Sequence, residues 1–185
     1  MKLKIAAAMI AGLLGAALPT AGSAHFILME PKSWIGENFL GDPQKLGPCG
    51  GTSKDAGTPT GAVSAVMGGS MLHLHVKETV YHPGHFRVAL AVLDRAELPA
   101  DPEDVTRDGP RGPISVSAKI DPNPRPPVLV DGLWEHHERK PGQEFETDVK
   151  IPNINCGHCS LQVIQFMEEH GVNTDGRLPI TTAPT

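Results

Sequence analysis

Met71-Leu72-His73-Leu74-His75-Val76-Lys77 alternates apolar and polar side chains with period two. A strand points successive side chains to opposite faces, so this pattern predicts a strand with one buried face. Ile114–Ala118, Phe145–Ile151 and Ser160–Met167 repeat the alternation. Phe26–Met29 is a short apolar segment, and Phe86–Leu93 is a nearly continuous apolar run, as a strand covered on both faces would be. Gly, Pro, Asn and Asp clusters separate these segments, and with 20 Gly and 18 Pro in 185 residues long helices are not expected. Many short strands with turn signals and no 3.6-residue period predict an all-β sandwich. Two long loops, near 41–61 and 97–113, are where a site is expected on such a frame.

The first residues read as a secretory signal. Lys2 and Lys4 precede an apolar stretch from Ile5 to Leu18, and Gly22-Ser23-Ala24 offers small residues for cleavage. The apolar run is shorter than the roughly 20 residues of a spanning helix. Cleavage after Ala24 leaves a mature chain of about 160 residues, the size of one domain with one core. Loss of two lysines takes the formal charge from −5 to −7. That balance argues against nucleic acid and anionic membrane surfaces as partners. The expected location is periplasmic or extracellular.

Three cysteines are an odd number for an oxidising compartment. Cys156-Gly157-His158-Cys159 has the spacing of a redox site, but that site needs a helix after its first Cys. A strand pattern follows instead, which favours a local Cys156–Cys159 disulfide and leaves Cys49 over.

Nine histidines invite a metal reading. His73 and His75 share one strand face, as half a metal site or as decoration of a solvated face. Glu135-His136-His137-Glu138 reads as a polar turn, with metal binding as the alternative. His158 and His170 have no partner visible in sequence. His25 differs, because cleavage would give it a free α-amino group beside its imidazole. Amino nitrogen and Nδ1 can close a chelate ring, and an amine of pKa near 8 yields its proton to a metal at ordinary pH. One more imidazole gives three nitrogens in a plane, which suits copper(II). The second histidine is offered by Tyr81-His82-Pro83-Gly84-His85-Phe86, a turn running into the most apolar strand. His82 is the candidate; His85, three residues on, is a second ligand or a neighbour of the site.

These residues resemble the lytic polysaccharide monooxygenases and their non-catalytic, copper-binding relatives. His25-Phe26 after a signal peptide, with Pro31 following the first strand, is similar to the family's opening. His82-x-Gly84-x-Phe86 looks like the segment of its second copper histidine. Cys156-x-x-Cys159-x-Leu161-Gln162 is similar to its C-x-x-C-x-L-Q strand. The resemblance implies an immunoglobulin- or fibronectin-like sandwich and a histidine brace of His25 and His82 holding copper. It also implies a polar group beside the open coordination position. Gln162 or Gln165 is expected there, at most one of them, since a spacing of three puts them on opposite faces. The C-terminus departs from the family's aromatic-x-x-Cys segment: no Tyr, Phe or Cys follows Met167. The departure removes the axial aromatic, would leave a sheet edge bare, and leaves residues from about 173 expected to be disordered.

Two function classes follow. One is a copper-dependent enzyme that cleaves chitin or cellulose oxidatively. The other is an exported protein that binds without turnover, as a copper carrier serving another copper-handling protein or as a carbohydrate-binding module. Trp34 and Trp134 are the flat aromatics for stacking on sugars, in a chain with only two Trp, one Tyr and five Phe. That poor platform and the missing axial residue favour copper binding over cleavage.

Overall fold

The computed structural model describes residues 25–43, 50–52, 55–100, 104–110, 112–140, 142–171 and 181–184. The proposed signal peptide, Cys49 and the segment 172–180 lie outside the described residues. Among the described residues nine strands account for nearly all regular structure: β1 His25–Glu30, β2 Met71–Val80, β3 Gly84–Ala91, β4 Asp104–Gly109, β5 Gly112–Ala118, β6 Val128–His136, β7 Glu144–Lys150, β8 Ser160–Gly171 and β9 Thr181–Pro184. They form two antiparallel sheets, one in the order β1-β2-β7 and one in the order β4-β5-β8-β3-β6, with β9 also paired to β8. The expected all-β sandwich is therefore present.

The core lies between the sheets, and period-two alternation decides who enters it. Phe26 and Leu28 of β1, Leu74 and Val76 of β2 and Val149 of β7 face Phe86, Val88 and Leu90 of β3 and Leu161 and Val163 of β8. Strand β3 is buried along its whole length. It has β8 on one side and β6 on the other, and its outer face carries His85, Arg87 and Ala89, all buried. A smaller cluster of Ala118, Ile164 and Phe166 lies on that outer side. Arg87 is stacked over the Phe166 ring at 5.0 Å.

The structure corrects the sequence reading at three places. The span 97–113, read as a long loop, follows a 3-10 turn at Arg95–Glu97 and contains strand β4 and the start of β5. Asp-Val-Thr-Arg-Asp-Gly has no apolar alternation because β4 is a solvated edge. In Glu135-His136-His137-Glu138, read as a polar turn, the first two residues end β6, and His136 is buried. That strand was hidden because Asp131-Gly132 looks like a turn; Gly132 and Trp134 take positive φ there and the pairing with β3 shifts register. At the C-terminus Thr181–Pro184 form β9, covering residues 162–165 of β8.

Candidate metal centre

At one end of the sandwich the apolar layer between the sheets turns polar. Glu78 continues the inward row Leu74-Val76-Glu78 of β2, and Gln165 continues the inward row Leu161-Val163-Gln165 of β8. His136 arrives from the end of β6. All three side chains are buried. They meet at one oxygen: Glu78 Oε1 accepts from Gln165 Nε2 at 2.9 Å and pairs with His136 Nε2 at 3.2 Å. The same oxygen accepts the backbone N–H of His82 at 3.0 Å. Gln165 Nε2 also reaches the His82 carbonyl at 3.3 Å. A buried carboxylate needs such donors, since an unpaired one would cost several kcal/mol, on the order of 3–5. Here the donors come from two other strands and a turn, so satisfying Glu78 also fixes the turn that carries His82.

His82 itself sits against His25. Their rings stack with centroids 6.1 Å apart and planes 20° from parallel. His25 Nδ1 and His82 Nε2 are both shielded from bulk solvent. His25 pairs with Val80 at the end of β2, and its carbonyl accepts from Thr79 Oγ1 at 2.9 Å. The same hydroxyl lies 2.8 Å from the Leu40 carbonyl, which ties the loop after β1 to this end. Gly84 has φ +146°, and a Cβ there would run into the Phe166 backbone carbonyl. Glycine in His82-Pro83-Gly84 thus lets the turn lie directly against β8.

The other expected residues separate cleanly. His85 is on the outer face of β3, away from His82. Its Nδ1 bonds Ser117 Oγ at 2.9 Å, and its Nε2 faces Asp131 Oδ1 at 3.5 Å. Burial pushes the Asp131 carboxyl up, but the His85 contact and the N–H groups of Asp121 and Gly132 outweigh it and hold the pKa below its usual value. Gln162 is also buried, on the same side of β8 as Ile164 and Phe166, while Gln165 is the glutamine beside His82. Cys156 and Cys159 lie at disulfide distance with Cα atoms 5.9 Å apart, on the segment leading into β8 and so at the opposite end from His25. Trp34 is there too, capped on one face by the Arg95 guanidinium at 4.1 Å. Trp134 packs against Phe86 and Phe145. Sequence reading missed Glu78, and it placed His136 in a polar turn rather than in the buried pair with Glu78. The signal for Glu78 was a charged residue at an inward position of an alternating strand.

Burial disfavours a charged His136, yet its hydrogen bonds to Glu78 and to the Trp134 carbonyl prevail and raise its pKa above the usual histidine value. Among the described residues no three His, Cys, Asp or Glu side chains are gathered closely enough to hold a metal ion as they stand. A centre at His25 and His82 therefore needs a donor that is not a side chain, and a free α-amino group on His25 would be one. With ring centres 6.1 Å apart, His25 and His82 would be the imidazoles that hold such an ion. No family model, no curated protein and no solved structure matches this chain significantly.

Proposed function

We propose that the chain is an exported copper-binding protein of the lytic polysaccharide monooxygenase-like type. In this reading His25 and His82 hold copper through a histidine brace. The observation that carries the reading is the juxtaposition of the two rings at 6.1 Å with His25 Nδ1 and His82 Nε2 both turned out of solvent. Signal cleavage after Ala24 completes the ligand set by freeing the His25 amine. When bound, copper supplies one-electron redox chemistry at an open coordination position. The chain's own contribution is placement: Thr79 pins the His25 backbone, and Glu78 with Gln165 pins that of His82. Gln165 takes the role of the polar neighbour, and His85 is a core residue rather than a ligand.

Binding without turnover is the reading we favour over oxidative cleavage of chitin or cellulose. The two tryptophans available for a sugar are engaged elsewhere, Trp34 under Arg95 and Trp134 against Phe86 and Phe145. Phe39 is 80 % exposed on the loop that Thr79 ties to this end, but one ring is not the flat aromatic platform that a polysaccharide face stacks on.

The test begins with the intact mass of the exported protein, which should correspond to His25–Thr185. Copper(II) titration with electron paramagnetic resonance should then give one ion per chain with three nitrogen ligands. One extra residue before His25, or His82→Ala, should abolish that signature. Survival of the signature in both variants rejects the brace. With reductant and hydrogen peroxide, release of oxidised oligosaccharides from chitin or cellulose would establish the enzyme reading instead; a carrier releases none.

A further inference from the structure

The end of the sandwich opposite the brace is open. Strand β3 ends there at Ala91, strand β8 begins there at Ser160, and the irregular segment 61–67 forms one wall. Between them lies a cleft of about 950 Å³, within the range of about 300–1,000 Å³ that small-molecule sites occupy. Its floor is the last layer of the core, made by Leu72, Leu90, Ile151 and Leu161. Val76, Val88 and Val163, deeper in the same inward rows, are closed off completely, whereas Leu90, Ile151 and Leu161 each keep some exposed surface. On the rim Val63 and Leu93 are 92 % and 84 % exposed. Apolar surface therefore runs without a break from core to solvent, and a contiguous exposed apolar patch marks a binding surface.

Two cations stand on the same rim, Lys32 and Arg95. In a chain of formal charge −5 they are unspent. Among the described residues the ion pairs of lysine and arginine are Lys77 with Glu144 and Arg107 with Glu169. Arg95 is also held in place. Its guanidinium lies over the Trp34 ring at 4.1 Å, and its Nε donates to Ser160 Oγ at 3.4 Å. Its two Nη groups meet no acceptor among the described residues. A stacked guanidinium with its fork open matches a carboxylate. Asp94 is the acid of this rim, and its Oδ1 takes the Ala96 N–H at 2.7 Å, capping the short turn that carries Arg95.

We infer that this cleft binds a long-chain alkyl carboxylate, with its chain on Leu72, Leu90 and Leu161 and its head group on Arg95 and Lys32. Apolar floor and cationic rim set the two ends of the ligand. A peptide fits the floor poorly, because the main chain there is already paired. Leu72 faces Val149 across β2 and β7, Leu90 faces Leu161 across β3 and β8, and Ile151 N–H donates to the Ser70 carbonyl. The peptide's own N–H and C=O groups would be buried without partners, a cost that an alkyl chain does not carry. A sugar ring would compete with Arg95 for the face of Trp34. A cationic amphiphile would meet Lys32 and Arg95.

The test is titration of the exported protein with dodecanoate below its micelle concentration, read by calorimetry and methyl NMR. One dodecanoate per chain should bind, and the methyl signals of Val63, Leu90, Leu93 and Leu161 should shift together. Butanoate keeps the head group and loses the chain; dodecyltrimethylammonium keeps the chain and inverts the charge. Each should bind roughly tenfold more weakly, or worse. Arg95→Gln should weaken dodecanoate roughly tenfold, and Leu93→Ser should weaken it less. Both side chains are exposed, and circular dichroism verifies that the variants are folded. Phe39→Ser, which removes an exposed ring at the brace end, and His82→Ala should leave binding unchanged, so the outcome is separate from that of the copper site. Equal binding of dodecanoate and dodecyltrimethylammonium, binding that ignores Arg95→Gln, or uptake of many dodecanoates without saturation would overturn the site.

Discussion

Gln165 Nε2 donates to Glu78 Oε1 at 2.9 Å across the gap between the two sheets. This bond closes the sandwich at the end where His25 and His82 meet. Glu78→Ala would strand two buried partners, Gln165 and His136, and also the His82 N–H. We expect a loss of about 2–4 kcal/mol in urea unfolding and a weaker copper site, because the His82 turn is released. Glu78→Gln keeps an acceptor and should cost less. Equal stability of Glu78→Ala and the unsubstituted chain would show that the three donors do not depend on this oxygen.

Much of the frame was readable because burial and period two coincide. Met71–Lys77, Ile114–Ala118 and Phe145–Ile151 each present one face to other residues of the fold, and each proved to be a strand. Strand β4 was not readable, since a solvated edge imposes no apolar pattern. Strand β6 was broken to the eye by Asp131-Gly132, where a bulge rather than a turn uses the glycine. The approach of His82 to His25 was suggested by a turn at the mouth of a sandwich. The support beneath it was not, because Glu78, Gln165 and His136 are 87 residues apart at the extremes and only the finished topology joins them. Nor does spacing alone tell His85 from His82; the alternation of β3, which begins at Gly84, sends His85 to the outer face.

His136 predicts a pH dependence with a definite sign. Its pKa is raised in the folded state, burial notwithstanding, by its bonds to Glu78 and the Trp134 carbonyl. A group with a raised folded pKa contributes stability that is full below its unfolded pKa near 6.5 and is lost as pH rises through the folded value. The stability difference between the unsubstituted chain and His136→Gln should therefore be full below about pH 6.5 and shrink as pH rises through the raised folded value. Chemical unfolding at a series of pH values measures it, and NMR titration of the His136 ring locates the midpoint. A difference that is flat or grows with pH contradicts the Glu78–His136 pairing.

The Cys156–Cys159 pair closes a very short loop. Such a loop restricts the unfolded chain only modestly, so Cys156→Ser with Cys159→Ser should cost about 2 kcal/mol or less. In the unreduced protein the thiol that labels should be Cys49, the cysteine left over by that pairing. Peptide mapping after alkylation reads this directly. Label on Cys156 or Cys159 would mean that one of them has paired elsewhere.

His85 and His82 should respond to substitution in opposite ways. His85 is 1 % exposed and lies between Ser117 Oγ and the buried Asp131 carboxylate. His85→Ala opens a cavity and leaves that carboxylate without its imidazole, so a loss of about 3 kcal/mol or more is expected. His82 sits on the turn before β3, outside the apolar core, and His82→Ala should cost about 1 kcal/mol or less. Copper binding should show the reverse order. At a temperature where near-ultraviolet circular dichroism shows His85→Ala to be folded, it should still take one copper ion with three nitrogens. His82→Ala, though the more stable variant, should lose that signature. If folded His85→Ala loses the three-nitrogen signal while His82→Ala keeps it, then the second imidazole of the brace is His85. The sheet alternation that turns His85 towards Ser117 would then have to be undone locally for the ion to bind.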